Sequence, residues 1–493
     1  MGRNKANPYD WGEVPYLSIQ CYSDHPEVYR IAELVADAMS AGKKRSHREK
    51  YLRPARKFIA SLWMHEGDLF RWSTRDEHYG KNRKQVWLTS ATLAISQRMM
   101  EMGYINDVAS AIAPANASDG VGKAAIYCRA LKFTNEMSTL TFSDVVLDPD
   151  LDRVTLRDEN GKLVELSEED RKNTKNTVSL LEKHSQILLD EPITKSDGKL
   201  MRPMDKHYFR RFRGSFKTGG RFYGGFTTWS KEERLQIRFK HGEPAFSLDL
   251  SSLHPNLLLR IFHRKDMYRP EQEESLKDPY EVPAFSHLPR EVHKKLVAIL
   301  LNSGDLEQAK RGLYNTYYWT DEEGTVRVKT YKGKTKRLGT KAFPGNKQEA
   351  AVYISAYQTS HPLMAQHIGS GIGSYLQLID SEIIFWMITF CNGVGIPILP
   401  VHDEVVFPIR DLRQILEFLT SAVRFTLAEG RNSLQLSGYE NTIYDDPADF
   451  GVLPTKISYF VDGKIQEQVH IIDMEYKWWH HEEEIEARFG KES

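Results

Sequence analysis

Residues 396–409 place two short apolar runs on either side of a polar tip, His402-Asp403-Glu404. This pattern predicts a β-hairpin that holds adjacent carboxylates at its turn. Acids at the end of a rigid hairpin suit divalent cations, because Mg²⁺ takes one or two protein carboxylates and leaves room for substrate phosphates. An ordinary acidic turn facing solvent would have the same sequence, so the segment needs a second carboxylate elsewhere before it favours a metal site.

A second carboxylate occurs upstream, in residues 245–260. Phe246, Leu248 and Leu250 alternate along one face of a predicted strand, so Asp249 points the other way near the end of that strand. A Ser-Ser-Leu-His-Pro turn then leads into an apolar helical run. Asp249 is therefore well placed to share two metal ions with Asp403, and two metals can activate an attacking oxygen and stabilise a leaving one.

A basic helix lies between these two acids and begins with Arg290-Glu291-Val292-His293-Lys294. Arg290 and Lys294 are four residues apart and share one helical face. Two cations on one face would bind the triphosphate of a nucleotide, Arg through its planar fork and Lys as a point charge. An ordinary amphipathic helix with a solvated basic side explains the pattern equally well, and a register with Lys295 instead of Lys294 also stays open.

A glycine-rich segment, residues 219–225, precedes the Asp249 strand and carries Arg221 and Tyr223. Its glycines would let backbone approach a phosphate chain, while Arg221 supplies charge and Tyr223 a stacking face for nucleic acid. Cations alternate with aromatic residues from 202 to 240, although the net charge of the whole chain is zero. The charge pattern thus favours a local nucleic-acid contact, and a plain glycine-rich loop is the alternative.

In their order along the chain, from residue 219 to residue 404, these motifs resemble the palm of family A nucleic-acid polymerases. That family includes bacterial and phage DNA polymerases and is related to single-subunit phage RNA polymerases. Asp249-Leu250-Ser251 is similar to the Asp-x-Ser motif of that family, and Val401-His402-Asp403-Glu404 to its Val-His-Asp-Glu motif. The helix that starts at Arg290 resembles its triphosphate-binding helix. The resemblance covers roughly the second half of the chain.

The resemblance implies an α+β right-hand polymerase fold, with a palm built on an antiparallel sheet, fingers and a thumb. It implies a DNA polymerase without a proofreading exonuclease, acting on nucleoside triphosphates and a nucleic-acid template with its primer. Asp249 and Asp403 would bind two Mg²⁺ ions, with Mn²⁺ as an alternative, and Glu404 would be the third catalytic residue.

Two nucleotide-binding positions depart from the family. His254 and Asn302 stand where family A DNA polymerases usually have the Glu and Tyr that exclude a ribose. His254 either stacks under the sugar or caps the following helix, so an RNA polymerase or primase-like enzyme stays open. Ala298 stands where the family has a base-stacking aromatic residue, which keeps open an inactive palm that only binds nucleic acid. A metal-dependent nuclease is a third alternative.

Further nucleic-acid contacts are predicted outside these motifs. Residues 326–337 predict a basic hairpin that turns at residues 332–334, and a charged edge strand kept soluble by lysines is its alternative. Gln377 and Asp380 share one face of a predicted long helix near the site, and they either contact nucleic acid or pack as buried polar residues. The additional candidates for binding nucleic acid are Lys329, Lys332, Gln377 and His402.

The length of 493 residues predicts two or three domains. We divide the chain into a mostly helical, thumb-like region at 1–200, the palm and fingers at 201–450 with the fingers at about 285–350, and a C-terminal extension at 451–493. The three cysteines lack the spacing of a zinc site, so neither a disulfide scaffold nor a zinc ribbon is indicated. Without a signal sequence or a long apolar run, the chain is expected in the reducing cytoplasm with no membrane partner.

Overall fold

The structure, a computed structural model, describes residues 17, 19, 21–42, 45–65, 69–73, 90–109, 124–141, 144–148, 151–250, 252–262, 278–321, 324–331, 339–345, 347–435, 452–461 and 463–473. These ranges form a mixed α/β protein with several small sheets. The chain divides into two compact units, residues 1–175 with 201–209, and residues 176–200 with 210–493. Within the described ranges, no helix has both the length and the apolar character needed to cross a membrane.

The first unit combines helices with short antiparallel strands. Its helices are α1 (Pro26–Ser40), α2 (Arg45–Met64), α3 (Ser90–Glu101) and α4 (Leu131–Glu136). Its strands are β1 (Cys21–Tyr22), β2 (Leu69–Ser73), β3 (Ile105–Ala109), β4 (Ala124–Arg129), β5 (Val146–Leu147), β6 (Val154–Arg157) and β7 (Leu163–Val164). Strand β1 pairs with β5, β6 pairs with β7, and β4 lies between β2 and β3.

Two helices show why the sequence folds as it does. Helix α1 buries Val28, Ile31, Ala32 and Val35, the spacing of one helical face. The charged helix that the sequence predicts is α5 (Glu168–Asp190), whose acidic first turn complements the helix dipole.

The second unit contains the remaining elements. Its helices are α6 (Lys231–Leu235), α7 (Leu253–Phe262), α8 (Arg290–Asn302), α9 (Leu306–Tyr314), α10 (Lys347–Ser360), α11 (Pro362–Ala365), α12 (Gly373–Val394) and α13 (Leu412–Gln435). Strands β8 (Tyr208–Arg213) and β9 (Ser215–Gly224) precede them and are neighbours in one sheet. The later strands are β10 (Ala245–Leu250), β11 (Thr316–Thr320), β12 (Val326–Thr330), β13 (Thr340–Lys341), β14 (Leu399–Val401), β15 (Glu404–Pro408), β16 (Val452–Val461) and β17 (Lys464–Asp473).

A five-stranded antiparallel sheet organises this unit, in the order β14-β15-β10-β16-β17. Strand β10 lies at its centre, and every residue of β14 and β15 is buried. Helix α12 packs on α13 and on β9, and it ends at Gly395, whose φ of 78° is the left-handed conformation that favours glycine at a helix end. The sheet centre is therefore a fixed platform for the side chains at its edge.

The strand of the predicted basic hairpin, β12, has a partner that the sequence analysis did not name. Strand β12 pairs with β11, and β13 lies on the other side of β11, so the turn of this hairpin falls at residues 321–325. The side chain of Asp321 explains this turn, because it accepts a hydrogen bond from the Thr325 amide at 2.8 Å and pairs with Arg327 at 2.6 Å. The predicted turn at 332–334 lies outside the described residues.

Candidate nucleotide and metal site

The two predicted carboxylates meet at one end of the five-stranded sheet. Asp249 on β10 lies directly opposite Glu404 on β15, and the Leu250 amide donates a hydrogen bond to the Asp403 carbonyl at 3.3 Å. Asp403 occupies the two-residue turn between β14 and β15. The predicted strand and the predicted hairpin are both confirmed, and they adjoin one another.

Strained backbone flanks this acidic pair. His402 has a φ of 58° and Ser252 a φ of 52°, and both are uncommon conformations for residues other than glycine. His402 precedes Asp403 in the hairpin turn, where a positive φ matches the twist of the strands. Ser252 follows the Asp249 strand and lines the same cavity as both acids. Strain of this kind concentrates at functional sites, where the surrounding structure holds it in place.

A cavity of about 380 Å³ opens beside the acids, a volume within the range of small-molecule pockets. It brings residues from β10, α7 and α8 together with the hairpin turn and β16. The predicted site residues that line it are Arg221, Asp249, His254, Arg290, Lys294, Asn302 and Asp403. Tyr280 and Lys456 also line it and were missed by the sequence analysis.

Negative charge is concentrated at the acidic end of the cavity. Burial raises the pKa of Asp249 to about 6, and the neighbouring Asp403 and Glu404 add to this rise while Lys456 opposes it. Glu404 is 7% exposed and accepts a hydrogen bond from Arg234 at 2.7 Å. Its second oxygen has no hydrogen-bond partner among the described residues. Asp249 therefore carries its charge at a cost, partly buried and beside two further carboxylates.

The oxygen ligands of this site suit Mg²⁺ better than they suit a metal ion whose ligands all come from protein side chains. Among the described residues, no group of three or more His, Cys, Asp or Glu side chains is arranged to bind a metal. Mg²⁺ commonly takes only one or two carboxylates and completes its shell with water and substrate phosphate. Asp249 and Asp403 supply oxygen ligands of that kind, and a divalent cation would relieve the repulsion from Asp403 and Glu404 that adds to the raised pKa of Asp249.

The cationic side of the cavity is formed by α8. Arg290 and Lys294 both line the cavity, whereas the adjacent Lys295 does not, which agrees with the register based on Lys294. Arg290 forms a two-point ion pair with Asp278 at 2.5 and 3.0 Å and lies 5.1 Å from the ring centre of Tyr280. Burial and the nearby Arg290 lower the pKa of Lys294. The ammonium of Lys294 therefore lies close enough to the guanidinium of Arg290 to be repelled by it.

A buried carboxylate on α12 joins two of the predicted residues. Asp380 is fully buried, and its Oδ2 lies 2.5 Å from Arg221 Nη2 and 2.7 Å from His254 Nε2. Burial opposes the charge on Arg221, but the ion pair with Asp380 outweighs it and raises the pKa of Arg221. Both side chains are thus held in fixed positions at the cavity wall. Gln377 lies one turn earlier on α12 and is half-buried.

Three side chains in contact, on β8, on β9 and in the turn between β14 and β15, form a surface that leads to the acidic hairpin. The Arg211 guanidinium lies 4.5 Å from the ring centre of Tyr223, and that ring meets His402 edge to face at 5.5 Å. Burial and the nearby Arg221 lower the pKa of His402. Burial and Arg221 therefore favour a neutral imidazole beside Asp403, on the surface that approaches the acids.

The remaining predicted nucleic-acid contacts lie apart from the cavity lining. Lys329 is on β12, in the three-stranded sheet, where its ammonium lies 5.3 Å from the ring centre of Tyr331. Lys332 lies outside the described residues.

The contacts that the sequence analysis missed join elements distant in sequence. Asp380 lies 159 residues from Arg221, and Lys456 belongs to a strand that carried no recognised motif. The one available signal for Asp380 was an acid on an apolar helix, which the sequence analysis placed near the site without a partner. Comparison of the chain with protein-family models and with curated proteins gave no match.

Proposed function

We propose that this chain is a template-directed nucleotidyltransferase, a DNA polymerase of the family A type with a right-hand fold whose palm is the five-stranded sheet. The observation that carries the proposal is the cavity, in which carboxylates on β10 and on the adjoining hairpin turn face two cations on α8. Acids alone would fit many metal enzymes. Acids opposite Arg290 and Lys294 fit a substrate that brings both a divalent cation and a polyphosphate.

In the proposed reaction, the 3′-hydroxyl oxygen of a primer forms a bond to the α-phosphorus of the nucleotide. The bond from that phosphorus to the pyrophosphate oxygen breaks, the electron pair leaves with pyrophosphate, and the hydroxyl proton passes to water. Arg290 and Lys294 bind the triphosphate and stabilise the charge that develops on the leaving group. Asp249 and Asp403 would bind two Mg²⁺ or Mn²⁺ ions, which supply Lewis acidity to both the attacking and the leaving oxygen.

Nucleic acid would approach along the surface formed by Arg211, Tyr223 and His402. A cation and two rings in contact suit a backbone phosphate and the faces of bases. The surface ends at Asp403, so a primer terminus bound there would lie beside the acids. Arg221 would act mainly through its position, because Asp380 holds it at the cavity wall.

The preferred sugar depends on His254 in this proposal. The Asp380 carboxylate forms a hydrogen bond with His254 Nε2 and so fixes the imidazole in the wall of the cavity, which Asn302 on α8 also lines. Deoxyribonucleotides are the expected substrates. A ribonucleotide preference would instead favour the RNA polymerase or primase-like alternative.

The test is extension of a labelled primer on a template with Mg²⁺, comparing dNTPs with rNTPs. The variants are Asp403→Asn, which removes one metal-binding charge, and Lys294→Met, which removes one triphosphate contact. Lys295→Met is the matched control, because it removes the same charge from the next position on α8, which is exposed. We expect extension by the wild type and by Lys295→Met, loss in Asp403→Asn, and a raised KM for nucleotide in Lys294→Met.

Other outcomes would change the assignment. Binding of primer–template without extension by any nucleotide would favour an inactive palm. Shortening of the primer that requires Mg²⁺ and Asp403 would favour a nuclease. Equal effects of Lys294→Met and Lys295→Met would contradict the proposed triphosphate contact.

A further inference from the structure

A lysine on the C-terminal hairpin enters the same cavity from the sheet. Lys456 on β16 lies directly opposite Asp249 on β10, and Asp249 lies opposite Glu404 on β15. Residues directly opposite in neighbouring antiparallel strands project from the same face of a sheet. Lys456 therefore stands in one row with the two acids, and it lines the cavity with Arg290 and Lys294.

Lys456 is held more firmly by its outer neighbour than by Asp249. Its ammonium lies 3.2 Å from Glu467 on β17 but 3.9 Å from Asp249, beyond hydrogen-bond distance. Glu467 in turn pairs with Lys231 on α6 at 2.5 Å. The same short helix supplies Arg234, which bonds Glu404 at the other end of the row. Helix α6 thus contributes an ion pair at each end of this row.

The ammonium of Lys456 retains capacity to bind an anion. An ammonium has three N–H donors, and one carboxylate lies within hydrogen-bond distance of it among the described residues. Its side chain is 25% exposed, so it is partly dehydrated but still reached from the cavity. A flexible four-carbon stem would let it turn from the Asp249 side towards a ligand.

Three cations converge on this cavity from two directions. The pKa of Lys294 is lowered first by burial, then by Arg290, and also by Lys456, so these cations repel one another, while Asp249 offsets part of that effect. Like charges that converge on one cavity are unfavourable where carboxylates compensate them only in part. A multiply charged anion would relieve that repulsion, and a divalent cation on Asp249 would take over the part that Lys456 plays there.

We propose that Lys456 is a third phosphate-binding cation of this cavity, which binds a polyphosphate from the sheet side while Arg290 and Lys294 bind it from α8. This inference rests on the proposed function, because the polyphosphate is taken to be the triphosphate of the incoming nucleotide. Glu467 and Lys231 are positioning residues that keep Lys456 directed at the cavity.

The test is calorimetric titration of the full chain with inorganic tripolyphosphate at saturating Mg²⁺. We expect Lys456→Met to raise the Kd about 10- to 100-fold, the effect of losing one or more hydrogen bonds between charged groups. Lys456→Arg should restore most of the affinity. Lys464→Met is the matched control, because it removes the same charge from an exposed position at the start of β17, on the same hairpin.

The possible results separate this inference from the proposed function. Binding by the wild type with an unchanged Kd in Lys456→Met would overturn the inference and leave the proposed function standing. A variant that changes the affinity for Mg²⁺ alone, and not for tripolyphosphate, would also overturn it and make Lys456 a counter-ion of Asp249. Failure of the wild type to bind tripolyphosphate would overturn both. Circular dichroism of each variant shows whether it is folded.

Discussion

Replacing Asp249 with Asn should stabilise the protein at neutral pH when no divalent cation is present, and it should abolish the proposed nucleotidyl transfer. Burial raises the pKa of Asp249 from 3.8 to about 6, and repulsion from Asp403 and Glu404 adds to this rise. The folded protein therefore resists the charge that Asp249 carries at pH 7. Asn has nearly the same shape and no charge, so the variant avoids that cost.

The magnitude follows from the difference between the folded and unfolded pKa. Each unit of difference corresponds to 1.36 kcal/mol, so a rise of about two units gives about 3 kcal/mol at most. The side chain is 30% exposed, and screening by water reduces the expected gain to about 1–3 kcal/mol. Because the folded pKa is raised, protonated Asp249 contributes its full stability below about pH 4. That contribution is lost as the pH rises through about 6.

The assay is urea unfolding in EDTA at several values between pH 4 and 8. The free energy of unfolding should be similar for wild type and Asp249→Asn at pH 4, and the variant should become more stable until a plateau above pH 7. Glu417→Gln is the control, because Glu417 forms an exposed pair with Arg413 at 3.5 Å on α13 and should change little. Adding Mg²⁺ should stabilise the wild type more than the variant. An Asp249→Asn protein that is no more stable than wild type at pH 7 in EDTA would refute the reasoning.

Three further changes test other parts of the site. Asp380→Asn should lower the free energy of unfolding by about 3 kcal/mol in urea, because it leaves Arg221 without its buried carboxylate; a loss below about 0.5 kcal/mol would mean that the pair is dispensable. Gly220→Ala should lower the Tm by more than Gly463→Ala: both have a φ above 70°, but the new methyl at 220 would lie 2.9 Å from Phe212 and Ser381, whereas described atoms leave position 463 open. Asp278→Asn should tighten tripolyphosphate binding severalfold by calorimetry, because it releases Arg290 from its ion pair; weaker binding would instead show that Asp278 positions Arg290 for the ligand.

The parts of the site that depend on local pattern could be predicted from the sequence. The alternation around Asp249 predicts β10, two apolar runs predict the hairpin that carries Asp403, and the spacing of Arg290 and Lys294 predicts a shared face on α8. The structure contains all three elements. Such patterns are readable because a strand repeats every two residues and a helix every 3.6.

The parts that depend on distant pairing could not be predicted. A lysine on a strand such as β16 looks the same whether it faces solvent or a cavity, and only its register with β10 distinguishes the two. The pairing of β12 with β11 was missed for a similar reason. Its alternating basic pattern fits either neighbour, and the choice depends on the turn at Asp321 rather than on the strand itself.

The arrangement of charges argues against a palm that only binds nucleic acid. Such a protein would need the Arg211–Tyr223–His402 surface but gains nothing from repulsion among Asp249, Asp403 and Glu404. The fold nevertheless holds these acids together, with the Arg234 ion pair compensating one oxygen of Glu404. The acids on the sheet repel one another, and so do the cations on α8. A divalent cation bound to a polyphosphate would relieve both repulsions at once, because the metal binds the acids and the phosphates bind the cations. The inactive-palm alternative therefore predicts that tripolyphosphate with Mg²⁺ leaves the stability of the protein unchanged, whereas the proposed function predicts a rise in Tm that Asp249→Asn reduces.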